Sequence, residues 1–223
     1  MPRVAAASRP WIDVSVPLHG DMVHWPGNTP VTVEPVHDIA RGDPYNLSKV
    51  SMSWHTGTHL DAPSHFVDGG ATMDDFPVAS GVVSALVVQI RDPEAVRVDE
   101  LRRQPIRPGA RVLFRTRNSV RNWRVTRFVE DYVYISQEAA AWLVERRIGL
   151  VGIDYLSVGS YLQDGDQTHR TLLSAGVWVI EGLDLSKVKP GPHEMVVLPL
   201  RVLRGDGAPA RVILRPKARR NRS

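Results

Sequence analysis

Short apolar segments on either side of a helical one constrain the fold of this chain more than any other feature of its sequence. Residues 81–90 form a near-continuous apolar run, and residues 150–154 and 177–180 form two shorter ones. Such runs are typical of strands that are covered on both faces. A helix capped by Ser136 is predicted at 137–147, so the order strand, helix, strand implies at least one right-handed βαβ crossover.

Alternating apolar and polar residues predict further strands around these segments. They lie at residues 11–18, 31–36, 46–54, 110–116, 132–135, 195–203 and 210–215. Between the last two, Arg204-Gly-Asp-Gly is a hairpin signal. The fold class predicted from this order is α/β, as a single strand-rich domain.

The connections are predicted to be loops, with one further short helix. Asp99 is placed to cap a helix at 100–104. Residues 118–127 are rich in arginine, and residues 155–168 are polar and contain glycine, so both segments are predicted to be loops. Asp154 ends an apolar strand, where it could orient a ligand, contact a substrate or cap the next turn.

Length and composition fit one domain with a hydrophobic core. The chain has 223 residues, of which 43% are hydrophobic and 23% charged. No run of 18 apolar residues occurs, so no membrane span is expected, and the absence of cysteine excludes disulfides. We predict a disordered leader at 1–9, the domain at 10–216, a basic tail at 217–223 and cytoplasmic localisation.

Arginine supplies almost all of the positive charge. The net charge is +4, nine arginines fall between Arg102 and Arg127, and Lys217, Arg219, Arg220 and Arg222 lie near the end of the chain. Such charge can serve a nucleic-acid-binding protein. Because no recognisable nucleic-acid-binding module accompanies it, we interpret it as a solvated surface and a frayed tail, and we expect no nucleic-acid partner.

The residues with the clearest chemistry lie between Trp54 and His65. His55, His59, Asp61 and His65 fall within eleven residues in the pattern H-x3-H-x-D-x3-H. Imidazole nitrogens and carboxylates are the ligands that zinc and related ions take when no thiolate is available. The pattern therefore predicts a metal site, and the alternative is a polar loop with surface histidines.

The spacing also limits the local backbone. On a helical turn His55 and His59 would share a face, but Asp61 would point away. In a straight strand His55 and His59 would be about 13 Å apart, which is too far for one ion. A compact turn at Gly57 is expected instead, because glycine tolerates backbone angles that other residues avoid, and Pro63 would stiffen the exit.

This stretch resembles the signature H-x-G-T-H-x-D-A-P-x-H of the cyclase family of metal-dependent hydrolases, and it meets every fixed position from His55 to His65. That family includes bacterial kynurenine formamidases and isatin hydrolases. The resemblance extends from about Trp11 to Pro216. It implies the family's swivelling β/β/α fold, and nothing in the sequence pattern contradicts that fold.

The resemblance also implies the remaining metal ligands. In the family a histidine and a glutamate twelve residues apart complete a two-metal centre, and His169 and Glu181 match that spacing. In the implied arrangement His55 and His59 bind one metal, His169 binds the other, and Asp61 and Glu181 bridge them. An N/O ligand set suits zinc, with manganese as the other candidate.

Two further roles follow from the resemblance. His65 would be the acid/base rather than a ligand, which spacing alone does not distinguish. Trp25, in the context Trp25-Pro-Gly, matches an aromatic residue that contacts the ring of the substrate. The alternative for Trp25 is a tryptophan buried in the core.

The implied reaction is hydrolysis of an amide bond in a small-molecule substrate. Metal-activated water would attack the carbonyl, and His65 would pass a proton to the departing nitrogen. We expect an N-formyl aromatic amine such as N-formylkynurenine, with isatin or another cyclic amide as the alternative. A non-catalytic metal- or nucleic-acid-binding protein is the alternative of a different class. The family's usual dimers or tetramers imply a homo-oligomer.

Overall fold

The computed structural model describes residues 10–217. The predicted leader at 1–9, and the predicted basic tail apart from Lys217, lie outside the described residues. None of the helices formed by residues 10–217 has the length and apolar character needed to cross a bilayer.

Strands account for most of the regular structure in this range. In chain order they are β1 (Ile12–Asp13), β2 (Thr32–His37), β3 (Leu47–Ser51), β4 (His59–Asp61), β5 (Val82–Gln89), β6 (Ala95–Val96), β7 (Arg111–Arg115), β8 (Tyr134–Ile135), β9 (Leu150–Ile153), β10 (Trp178–Glu181), β11 (Gly191–Pro199) and β12 (Gly207–Pro216). The α-helices are α1 (Val98–Leu101), α2 (Asn118–Arg121), α3 (Gln137–Glu145) and α4 (Gly165–Ser174).

Seven of these strands close into a barrel-like sheet. Their order is β12-β11-β5-β7-β9-β10-β4, and β4 pairs again with β12, while β1 adds to the outside of β12. The strands from β5 to β10 are parallel, and the others are antiparallel. Strand β12 spans the closure, since its first three residues pair with β4 and the rest with β11. The observed fold is therefore a strand-rich α/β domain, as predicted.

The apolar strands are covered on both faces. Leu60, Val87, Leu113, Ile180 and Val212 belong to one buried cluster, to which all seven barrel strands contribute, so this cluster fills the barrel. A second cluster covers the outer face of the parallel strands and contains the buried apolar residues of α3 and α4. Alternate residues of the same strand enter different clusters, which explains the near-continuous apolar runs in the sequence.

Helices connect the parallel strands β7, β9 and β10, one of them at the predicted crossover and one at a position that was not predicted. The chain passes from β7 to β9 through α3, and from β9 to β10 through α4. Ser136 caps α3 by accepting a hydrogen bond from the Ala139 amide at 3.2 Å, which confirms the predicted helix start. Helix α3 ends at Glu145, two residues earlier than predicted.

Three predictions for the connections are wrong. Helix α1 begins at Val98, so Asp99 lies in its first turn and does not cap it. The segment predicted as an arginine-rich loop contains α2, whose Asn118 side chain donates to the Val133 carbonyl at 2.8 Å. The predicted loop at 155–168 includes the first turn of α4.

Candidate metal centre

The turn that begins the His55–His65 stretch is held by close backbone contacts. Gly57 has φ +64°, as the prediction of a compact turn requires. The Thr58 hydroxyl accepts from the Val16 amide at 2.9 Å and donates to the Gly182 carbonyl at 2.6 Å. Gly182 has φ +73°, and a Cβ there would lie 1.9 Å from the Gly57 carbonyl oxygen. The turn therefore packs directly on the chain that leaves β10.

Strand pairing brings the distant carboxylate to this turn. In the β4–β10 ladder Glu181 lies opposite His59, and Val179 lies opposite Asp61. His169 reaches the same place from α4, where its Nδ1 lies 3.0 Å from the Gly165 carbonyl oxygen and its Nε2 lies 3.1 Å from Glu181 Oε1. Segments more than 100 residues apart in sequence thus meet at one end of β4.

The side chains form two groups that share Asp61. His55, His59 and Asp61 make one group, and Asp61, His169 and Glu181 make the other, with the donor atoms of each group within 4.8 Å of one another. Asp61 Oδ1 lies 2.8 Å from His55 Nδ1 and 3.3 Å from His59 Nε2. Asp61 Oδ2 lies 4.0 Å from His169 Nε2. Each group has the donor types that a divalent ion binds.

In these two groups, burial and the neighbouring opposite charges shift each pKa in opposite directions. Burial lowers the pKa of His59, but Asp61 and Glu181 outweigh it and raise that pKa to about 10. The pKa of His169 is raised to about 9, because the interaction with Glu181 outweighs burial. Burial raises the pKa of Asp61, but the neighbouring His55 and His59 hold it well below its usual value. Two buried carboxylates here are compensated by positive charge, which protons or a cation can supply.

One further observation supports binding of a cation by these donor atoms. His59 Nε2 and Asp61 Oδ2 are buried and make no hydrogen bond within the described chain. Buried polar atoms without hydrogen bonds are costly, and a cation bound by this imidazole nitrogen and this carboxylate oxygen would satisfy both. Both atoms belong to residues of the groups described above.

A cavity of about 240 Å³ opens beside these groups. His55, His169 and Glu181 line it on one side, and the rings of Trp25 and Phe66 also face it. Trp25 is half-buried and packs edge-on against Phe128 and Tyr161, with ring centroids 5.3 and 5.4 Å apart. Trp25 is thus not fully buried in the core and lines the cavity, and its contact with a substrate stays a prediction.

His65 lies at the rim of the same cavity. Its ring stacks on that of His55, with centroids 3.9 Å apart and planes at 21°. Its side chain is 29% exposed, and burial lowers its pKa. His65 belongs to neither of the two buried groups but lies close to His55 and Asp206, with which it makes a third candidate set.

Asp206 is the site residue that the sequence did not reveal. Its Oδ2 lies 3.0 Å from His55 Nε2, although the two residues are 151 positions apart. In the sequence this aspartate forms part of the Arg204-Gly-Asp-Gly hairpin signal, which predicts a turn and carries no sign of a site. The structure brings together the predicted residues His55, His59, Asp61, His169 and Glu181, and their roles as ligands stay predictions.

Two histidine–carboxylate groups that share an aspartate, beside a small cavity, match the arrangement of hydrolases that use divalent metal ions. A sequence model of the Cyclase family, described as "Putative cyclase", matches residues 12–160. The chain belongs to this family.

Curated relatives and solved structures agree with this assignment. The chain is 32% identical to the kynurenine formamidase of Bacillus cytotoxicus and 34% identical to that of Geobacillus thermodenitrificans, in each case over 92% of this chain and 97% of the relative. A structure called "Potential Metal-Dependent Hydrolase With Cyclase Activity" is 34% identical, with a TM-score of 0.80 over 93% of this chain and 98% of the other. Isatin hydrolase A from Ralstonia solanacearum shares the fold, with a TM-score of 0.78, 24% identity and coverage of 92% and 91%. The protein is accordingly a metal-dependent hydrolase, and its cofactor is a divalent metal.

Proposed function

We propose that this protein hydrolyses the amide bond of an N-formyl aromatic amine, with N-formylkynurenine as substrate and kynurenine and formate as products. The observation that carries the proposal is the position of the two histidine–carboxylate groups on the wall of a cavity that aromatic rings also line. Relatives named kynurenine formamidase, matched over nearly their whole length, support the same substrate.

The first group would hold one ion through His55, His59 and Asp61, and the second would hold another through Asp61, His169 and Glu181. We propose zinc as the metal, with manganese as the alternative, because imidazole and carboxylate donors suit both. When bound, such ions act as Lewis acids that polarise a carbonyl and make water nucleophilic near neutral pH.

His65 would move the proton that the reaction requires. Cleavage of the formamide joins a water-derived hydroxyl to the formyl carbon and breaks the bond from that carbon to nitrogen, and the nitrogen must then receive a proton. The His65 imidazole faces the cavity at its rim, where it can accept a proton from water and donate it to the departing amine.

Trp25 would hold the aromatic ring of the substrate. A cavity of about 150 Å³ suffices for benzene, so about 240 Å³ fits a single substituted ring with its formamide group. Trp25 is itself held by Phe128 and Tyr161, so its ring presents a fixed face.

Further properties belong to the same proposal. We propose that residues 10–216 form one domain of the swivelling β/β/α type, and that the protein is a cytoplasmic homodimer or homotetramer. We expect no nucleic-acid partner. Analytical ultracentrifugation of the purified protein at several concentrations measures its oligomeric state and tests this proposal.

The first experiment measures metal content and turnover on one sample purified without added metal. We expect about two ions per chain and release of formate from N-formylkynurenine. His59→Ala should lose the ion of the first group and with it turnover, whereas His37→Ala, in the β2–β3 hairpin and outside both groups, should keep both ions and turnover. If the protein hydrolyses isatin but not N-formylkynurenine, its substrate is a cyclic amide and not an N-formyl amine. Failure to bind either zinc or manganese would reject the proposal.

A further inference from the structure

Both ring nitrogens of His55 face carboxylates. Nδ1 lies 2.8 Å from Asp61 Oδ1 on the buried side, and Nε2 lies 3.0 Å from Asp206 Oδ2 on the outer side. The Asp61 side chain is fully buried, whereas that of Asp206 is 50% exposed. His55 therefore bridges an inner carboxylate of the first group and an outer carboxylate that belongs to neither buried group.

The segment that carries Asp206 is built against the His55 ring. A Cβ at Gly207 would lie 2.6 Å from His55 Cε1, so only glycine lets β12 begin this close to the imidazole. The Asp206 carbonyl accepts from the Ala62 amide at 2.9 Å, and the Gly205 carbonyl accepts from the Met73 amide at 2.8 Å. These backbone hydrogen bonds place the Asp206 carboxylate beside Nε2 without relying on its own side-chain contacts.

An ionised carboxylate can only accept hydrogen bonds, so the His55 nitrogen that binds Asp206 must carry a proton. By the same argument Nδ1 carries a proton toward Asp61 as long as no ion is bound. An ion held by the first group would replace that proton, and the proton kept on Nε2 would leave the Nδ1 lone pair for the ion. Histidines that bind metals commonly donate their other N–H to a carboxylate in this way, and the contact fixes both tautomer and ring orientation.

We propose that Asp206 is a positioning residue of the metal centre: it holds the proton of His55 on Nε2 and thereby aims Nδ1 at the ion bound with His59 and Asp61. This inference rests on the proposed metal site. The same Asp206 oxygen lies 3.9 Å from His65 Nδ1, so one carboxylate also restrains the ring that stacks on His55.

The test measures zinc affinity by competition with a chelator, for the wild type, Asp206→Ala and Asp206→Asn. We expect both variants to keep two ions at saturating zinc, with about 10–100-fold weaker binding of one ion in Asp206→Ala. Asp206→Asn should lose less, because an amide oxygen can still accept from Nε2. In 15N-histidine NMR of the zinc-loaded protein, the His55 Nε2–H signal should be sharp and slow to exchange with water in the wild type, and broadened by faster exchange in Asp206→Ala.

Asp74→Ala is the matched control. Asp74 accepts from the Arg204 amide at 2.7 Å, so its loss loosens the same loop without touching His55. We expect wild-type zinc affinities for this variant, and an equal loss would overturn the proposal. It would also be overturned if Asp206→Ala bound zinc like the wild type, or if either variant held one ion at saturation, since Asp206 would then be a ligand. A wild-type protein that binds no zinc would instead reject the proposed function.

Discussion

At the scale of single residues, the pattern between His55 and His65 predicts the core of the site because its members are close in sequence. Glycine at 57 and the spacing of the ligands require a compact turn, and the structure has one. Glu181 and His169 carry no local signal of a site, and only the family resemblance pointed to them. Asp206 could not be predicted, because its contact with His55 depends on how β12 meets β4.

Replacing His65 separates metal binding from proton transfer. We expect His65→Ala to keep about two ions per chain and to lower kcat by about 10²–10⁴-fold, which is the usual contribution of a general acid or base. Metal analysis and single-substrate kinetics on the same preparation check both expectations. His37→Ala should behave as the wild type. Loss of metal from His65→Ala would make His65 a ligand and the assigned role wrong.

At the scale of secondary-structure elements, the buried apolar strands and helix α3 match their predictions. The predicted strand at 11–18 is reduced to β1, the one predicted at 195–203 lies at Gly191–Pro199, and short polar helices are missed. Helix α3 shows both a cap and an apolar face in the sequence, whereas α4 begins with Gly165-Asp-Gln-Thr, of which only Gln167 is a good helix former. Helix α4 is stabilised instead by Asp164, which accepts from the Gln167 amide at 3.2 Å, and by packing on α3. His169 is therefore held on a helix and not in the loop that the sequence predicts.

The close approach of Gly182 to Gly57 can be tested with a pair of glycines that have the same φ. Gly182 and Gly176 both have φ +73°, but a Cβ at Gly176 meets nothing within 4 Å. Gly176→Ala should cost about 1–2 kcal/mol from backbone strain alone, whereas Gly182→Ala adds a backbone clash and should cost at least about 3 kcal/mol. Midpoints of urea unfolding measure both. Equal midpoints would show that the turn at Gly57 moves freely.

At the scale of the whole molecule, the sequence predicts an α/β domain but not the closure of its sheet. The closing pair, β4 with β12, joins residues near 60 to residues near 208 and leaves no periodic signal. The role of the arginine-rich segment is also visible only in the whole structure. Arg115 donates to the Leu185 carbonyl at 2.9 Å, Arg117 donates to the Pro93 carbonyl at 2.8 Å, and Arg121 pairs with Asp131. These side chains tie loops to the barrel, which residue counts could not show.

Metal removal should weaken the whole fold, because the site joins β4, β10 and α4. An ion present at about 100 times its dissociation constant stabilises the folded state by about 2.7 kcal/mol. In a domain of this size that corresponds to a fall in Tm on the order of 5–10 °C when the ion is removed. Thermal unfolding with and without a chelator measures it. Asp61→Asn, which lacks the shared carboxylate, should show little change with chelator, and an equal fall in that variant would place the stabilising ion elsewhere.

The closure of the barrel by β12 also sets when the site can form in a living cell. A ribosome adds about 5–20 residues per second, so His55 is made about 8–30 s before Asp206. Until then His55 lacks its outer carboxylate, and β4 lacks its pairing with β12. An ion that needs all of these groups would therefore bind only after the segment that carries Asp206 has been made, and it would come from the ions that the cell keeps available at that moment.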